Sequence, residues 1–146
     1  MGKRSTGCWI ALALVLWLLP GPLGAGVFDV KTFGAKGDGK TPDRDAINKA
    51  IDATAAAGGG TVYFPAGTYV TGSIRLRSNL TLQFEHGTIL EASADPAAYD
   101  TAEPNQWDKF QDFGHSHFHN SLIWGEGLEN VSIVGGGMIE IGRAHV

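Results

Sequence analysis

FGAKGDG at residues 33–39 and GGGTVYFPAGTY at residues 58–69 enclose one short helix-like stretch, and the change of period across them decides the fold. Ahead of the second stretch, Ala46, Ile47, Ala50 and Ile51 recur at helical spacing and make one apolar face. Thr41 is placed to cap this helix with Pro42 in its first turn, and Asp43 and Asp45 suit the positive end of its dipole. The alanines run to Ala57, where Gly58, Gly59 and Gly60 end it. Beyond them the period becomes that of strands. Val62 to Phe64 lead through a Pro65-Ala66-Gly67 turn to Tyr69 and Val70, then to Ile74 and Leu76.

Working outward, Leu80, Leu82 and Phe84 alternate with polar residues, and Ile89-Leu90 follows another glycine turn. Leu122-Ile123, Val131 with Ile133, and Met138-Ile139 continue the series. Asn79-Leu80-Thr81-Leu82 and Asn130-Val131-Ser132-Ile133 read as one structural rung occurring twice, each followed by a glycine turn and a short apolar pair. Short strands that recur in this way, none able to bury its own apolar face, are the sequence signature of a solenoid. A β-sandwich would leave the single early helix without a job. A doubly wound sheet would need a helix between successive strands. In a solenoid that helix covers the apolar end of the first coil.

FGAKGDG and FPAGTY together resemble the opening of the pectate-lyase-like right-handed β-helix proteins, most closely glycoside hydrolase family 28, the polygalacturonases and rhamnogalacturonases. DFGHSHFHNSLIWGE at residues 112–126 is similar to a stretch of the same family. The resemblance implies an all-β, right-handed, single-stranded parallel β-helix with a capping α-helix over residues 26–139, truncated at its C-terminal end. It implies an inverting hydrolase of polygalacturonan or rhamnogalacturonan that works as a monomer, without cofactor or metal, on the acidic pectin of plant cell walls. A polysaccharide lyase or epimerase, or a non-catalytic polysaccharide-binding β-helix, is the alternative the same region allows.

Inverting hydrolysis needs one carboxylic acid to protonate the leaving oxygen and one carboxylate to activate water. In family 28 these are aspartates of N-T-D and D-D motifs, accompanied by G-H-G and R-I-K motifs, and none of the four occurs in this sequence. Asp100 and Asp108 stand alone. No catalytic residue is therefore assigned, and the chain by itself is expected to be inactive.

The ends carry their own expectations. Lys3 and Arg4, an apolar run from Cys8 to Leu19, and Leu23-Gly24-Ala25 make residues 1–25 a secretory signal peptide, so the product is secreted or periplasmic. That run is shorter than a membrane span. Cys8, the only cysteine, lies inside it, so the mature chain carries no disulfide. Ile141 to Val146 back-translate as ATC GGA AGA GCA CAC GTC, the run of a widely used sequencing adapter whose next triplet is a stop. Residues 140–146 are thus expected to be read-through. The genomic locus should diverge at Glu140 or Ile141 and stay open; amplification across the junction checks this, and a native stop after Val146 would overturn it.

Eleven Lys+Arg against 15 Asp+Glu, with no basic patch or tail, speak against nucleic acid and anionic membranes as partners. FGAKGDG lacks the spacing of a phosphate-binding loop and reads as a tight turn, with Asp38 its turn or capping residue. Residues 91–120 break the strand pattern with Tyr99, Trp107, Phe110, Phe113 and Phe118. His115, His117 and His119 share one face of an extended strand there, beside Asp112. Lacking acidic or cysteine partners at a defined spacing, they do not specify a metal site. They read either as a loop edge held by hydrogen bonds or as substrate-cleft residues beside Trp107, Phe118 and Trp124. Asn79-Leu80-Thr81 and Asn130-Val131-Ser132 are formal glycosylation sequons, which the repeated rung already explains.

Overall fold

The structure is a computed structural model that describes residues 26–104 and 118–141. Strands β1 (Gly26–Asp29) and β2 (Asp38–Pro42) precede helix α1 (Arg44–Ala56). Then follow β3 (Gly60–Phe64), β4 (Gly67–Thr71), β5 (Ile74–Arg75), β6 (Leu80–Phe84) and β7 (Thr88–Ala92). After the break in the strand pattern come β8 (Ile123–Trp124), β9 (Val131–Gly135) and β10 (Met138–Glu140).

Neighbouring strands pair in parallel on three faces: β1-β3-β6-β9, β2-β4-β7-β10 and β5-β8. Each coil turns through the faces and returns one strand spacing away, about 4.8 Å. The result is the right-handed parallel β-helix expected from the sequence. Inward positions stack in columns, Val62 on Leu82 on Ile133 and Phe64 on Phe84. Phe64 is fully buried, with its ring 4.7 Å from Phe84 and 5.7 Å edge-on from Tyr69. Offset and edge contacts of this kind add to the area that aromatic rings bury.

The repeated rung is one rung above another: Leu80 pairs with Val131 and Leu82 with Ile133. Asn79 and Asn130 both take left-handed backbone, φ +59° and +56°, and the Asn130 Nδ2 donates to Asn79 Oδ1 at 2.9 Å. Asparagine tolerates this conformation better than other residues with a Cβ. Asn79→Ala is expected to cost about 1–2 kcal/mol through backbone strain and the lost bond, with Asn79→Gly recovering the strain. Urea midpoints of the two variants check this, and equal losses would refute the strain argument.

Helix α1 occupies the place on the third face that a strand fills in later coils. Its buried residues Ile47, Ala50, Ile51 and Thr54 follow i, i+3, i+4, i+7 and pack on β1, β3 and the 3-10 turn Val30–Phe33. Asn48 then does what a neighbouring strand would do for β5. Its Nδ2 donates to the Ser73 carbonyl at 3.0 Å, and its Oδ1 accepts from Arg75 N at 2.9 Å.

The start of α1 differs from the sequence expectation. Thr41 and Pro42 belong to β2, and the cap position is Asp43. The buried Asp43 carboxylate is turned away from the helix and accepts from Lys36 N at 2.6 Å and Gly37 N at 3.0 Å. The FGAKGDG loop thus closes on an internal carboxylate, and these two amides are not free to hold a phosphate. Asp38 is the turn residue expected: it accepts from Lys40 N and from both Thr41 N and Oγ1. Those bonds, Thr41 N first, hold its carboxyl down to about 2.

A cation-lined cavity on the third face

The alternation Ile74-Arg75-Leu76-Arg77 buries Ile74 and points Arg75 and Arg77 outward. Parallel pairing sets Trp124 of β8 directly beside Arg75, while α1 contributes Arg44 from the neighbouring level. With Tyr99, Asp100, Thr101 and His119 these residues line a cavity of about 650 Å³. A smaller cavity of about 290 Å³, which Arg44 also lines, lies against Val70, Gly72, Ala97 and Ala98 and gathers no such set of donors.

Asp100 organises the larger cavity. Its Oδ2 accepts from Arg75 Nε at 2.7 Å and Trp124 Nε1 at 2.9 Å. Its Oδ1 accepts from Nη2 of Arg75 and Nη2 of Arg44, both at 2.5 Å. The side chain is 8% exposed, whereas Arg75 and Arg77 are exposed by 47% and 46%. The Arg75 fork above all, with help from the Trp124 indole and the Arg44 charge, outweighs burial and holds the Asp100 carboxyl down to about 2. Such a group is neither a proton donor nor a free base at neutral pH.

Because the folded pKa is the depressed one, ionised Asp100 stabilises the fold fully above about pH 4, and the contribution is lost as pH falls through about 2. Asp100→Asn is therefore expected to cost roughly 2 kcal/mol near neutrality and almost nothing at about pH 2. Denaturation at several pH values checks this, and a deficit that persists in acid would refute it.

Both ends of the segment from Asp100 to Ser121 are tied to Ser73, the residue just before β5. The buried Ser73 Oγ accepts from Asp100 N at 2.9 Å and donates to the Ser121 carbonyl at 2.8 Å. Glu103 binds across the same gap, accepting from Phe118 N at 2.7 Å and His119 N at 3.0 Å. These amides, that of His119 foremost, hold its carboxyl down to about 2.

Of the three histidines singled out by sequence, His119 lines the cavity; His115 and His117 lie outside the described residues, as do Trp107, Phe110, Phe113 and Asp112. The His119 ring stacks on Trp124 at 4.0 Å, with its Nε2 2.8 Å from Glu126 Oε1. Asp100, which stands alone in sequence, is the most heavily bonded side chain of the cavity. The arginines were not singled out by sequence, although their i, i+2 spacing opposite Ile74 and Leu76 was the available signal. The convergence of Arg44, Arg75 and Trp124 on Asp100 has no local signal, because the partners are 56, 25 and 24 residues away.

Residues 27–117 match the family described as rhamnogalacturonase A/epimerase, pectate lyase-like. A stretch of 45 residues is 69% identical to mannuronan C5-epimerase AlgE3 of Azotobacter vinelandii, covering 31% of this chain and 2% of that protein. Over 76 residues the chain is 41% identical to an exo-poly-α-D-galacturonosidase of Dickeya chrysanthemi, covering 52% of this chain and 12% of that one. The family 28 exopolygalacturonase of Yersinia enterocolitica superimposes with a TM-score of 0.64 and 31% identity over 80% of this chain and 20% of its own. The chain thus spans a small part of the length of each.

Proposed function

Because the chain belongs to the rhamnogalacturonase A/epimerase, pectate lyase-like family, we propose that it supplies the opening coils of a secreted, monomeric enzyme that hydrolyses polygalacturonan or rhamnogalacturonan with inversion. One observation carries the substrate class: Arg44, Arg75 and Arg77 line a single open cavity with Trp124, the first two bonded to Asp100 and Arg77 to Asp52. Arginine forks fit carboxylates in pairs of hydrogen bonds, and indole and imidazole rings suit the apolar faces of sugar rings. A chain of uronate sugars offers both features in repeat.

Asp100 is committed to the arginines, so the general acid and the water-activating carboxylate of hydrolysis are assigned to coils beyond the residues described. On this reading the present chain binds the polymer and does not cleave it. The test is affinity electrophoresis of the chain in polygalacturonate gels, alongside product analysis of the complete gene product. Retardation of the first and new reducing ends from the second, without the ultraviolet absorbance of an unsaturated uronate, are expected.

The 69% identity to the mannuronan epimerase favours a second reading, action at C5 of a uronate. Unsaturated products would establish elimination, and inverted C5 stereochemistry without chain cleavage would establish epimerisation. Either outcome displaces hydrolysis while leaving the polyuronide as ligand.

A further inference from the structure

We propose that Asp100 is a positioning residue for the sugar carboxylate, acting through Arg75 and Trp124 without touching the ligand. The inference rests on the polyuronide reading above and identifies the group that shapes the site. Each Asp100 oxygen already accepts two hydrogen bonds, from donors on α1, β5 and β8. No acceptor capacity of that carboxylate faces a ligand. Its own place is fixed by the bond from its backbone N to the buried Ser73 hydroxyl.

The effect falls on Arg75. Its Nε–Nη2 edge is locked inward on Asp100 while nearly half of the side chain remains exposed, so the rest of the guanidinium faces the cavity in one orientation. A free arginine must give up rotamer freedom when it binds, whereas a clamped one has already done so. The Trp124 indole N–H is held by the same carboxylate, and this sets the ring on which His119 stacks.

Positioning by Asp100 and simple electrostatics differ in the sign of their effect on binding. Removing the Asp100 charge leaves the cavity more positive, and Coulomb attraction alone would then tighten binding of an anion. Positioning requires the reverse. Calorimetric titration of the full chain with trigalacturonate is expected to show at least tenfold weaker binding for Asp100→Asn. Asp100→Glu keeps the charge but moves the carboxylate by one methylene; it is also expected to weaken binding, and it serves if the asparagine variant does not fold. Arg75→Lys keeps the charge without the fork and should lose a similar factor. Because Asp100 acts through Arg75, adding Asp100→Asn to Arg75→Lys should cost little more.

Tighter or unchanged binding by Asp100→Asn, wild-type affinity in Asp100→Glu, or multiplying losses in the double variant would each overturn the proposal. Failure of the wild-type chain to bind trigalacturonate would instead remove the polyuronide reading, and this inference with it.

Discussion

Phe64→Ala is expected to remove about 3–5 kcal/mol of stability, the usual cost of deleting a buried aromatic ring. Phe64 lies at the crossing of two ring contacts and is fully buried, so its neighbours Tyr69 and Phe84 cannot collapse into the space without leaving their strands. A loss of that size is a large share of the roughly 5–15 kcal/mol that holds a domain folded. Phe118→Ala provides the control, because that ring is 61% exposed and should change stability by less than about 0.5 kcal/mol. Denaturant midpoints at unchanged slope measure both, and equal losses at the two positions would show that the column is not the core.

Ser73→Ala should be nearly as costly, for a polar reason. One buried hydroxyl joins Asp100 N on one side of the insertion to the Ser121 carbonyl on the other. Its removal leaves a donor and an acceptor without partners, at about 1–3 kcal/mol for each that stays dry. The exposed Ser132→Ala should be neutral by comparison. Ser73→Ala should also become sensitive to proteases between Asp100 and Ser121 before the coils unfold, because both ends of that segment lose their tie to the residue before β5. Unaltered cleavage and an unaltered midpoint would show that Glu103, which spans the same gap, suffices.

The solenoid was legible because its rule is local and repeated. Leu80, Leu82 and Phe84 alternate within one strand, and Asn79 and Asn130 mark the same corner in two coils, so pattern alone gave the rung that β6 and β9 then form. The helix stop was equally plain, since Gly58, Gly59 and Gly60 all take positive φ. The helix start misled because Thr41-Pro42 is a good cap by itself. The competing demand came from Lys36 and Gly37, whose amides need the Asp43 carboxylate and draw the chain into β2 first. β1 and β2 were missed because the residues at 26–29 and 38–42 carry little alternation, and pairing with β3 and β4 makes them strands.

The cavity was legible only in part. His119 and Trp124 were found as a ring-rich segment, which is a matter of composition. Asp100 was not, because an acid between tyrosine and threonine looks like any surface carboxylate. Its role arises from the coil repeat, which brings residues from three levels of the stack to one place. Spacing along the chain cannot show that.

Asn48 carries a lesson for protein engineering. A single side-chain amide presents one donor and one acceptor to the backbone of β5, satisfying the edge that a further strand would otherwise seek. Among the described residues no side-chain amide does the same for β1, whose Val27 is 68% exposed. Builders of artificial solenoid arrays commonly face unwanted end-to-end accretion of subunits. Grafting an asparagine-bearing helix turn over the short strand of a terminal repeat offers them a terminator of one residue, compatible with whatever surface the remaining faces display.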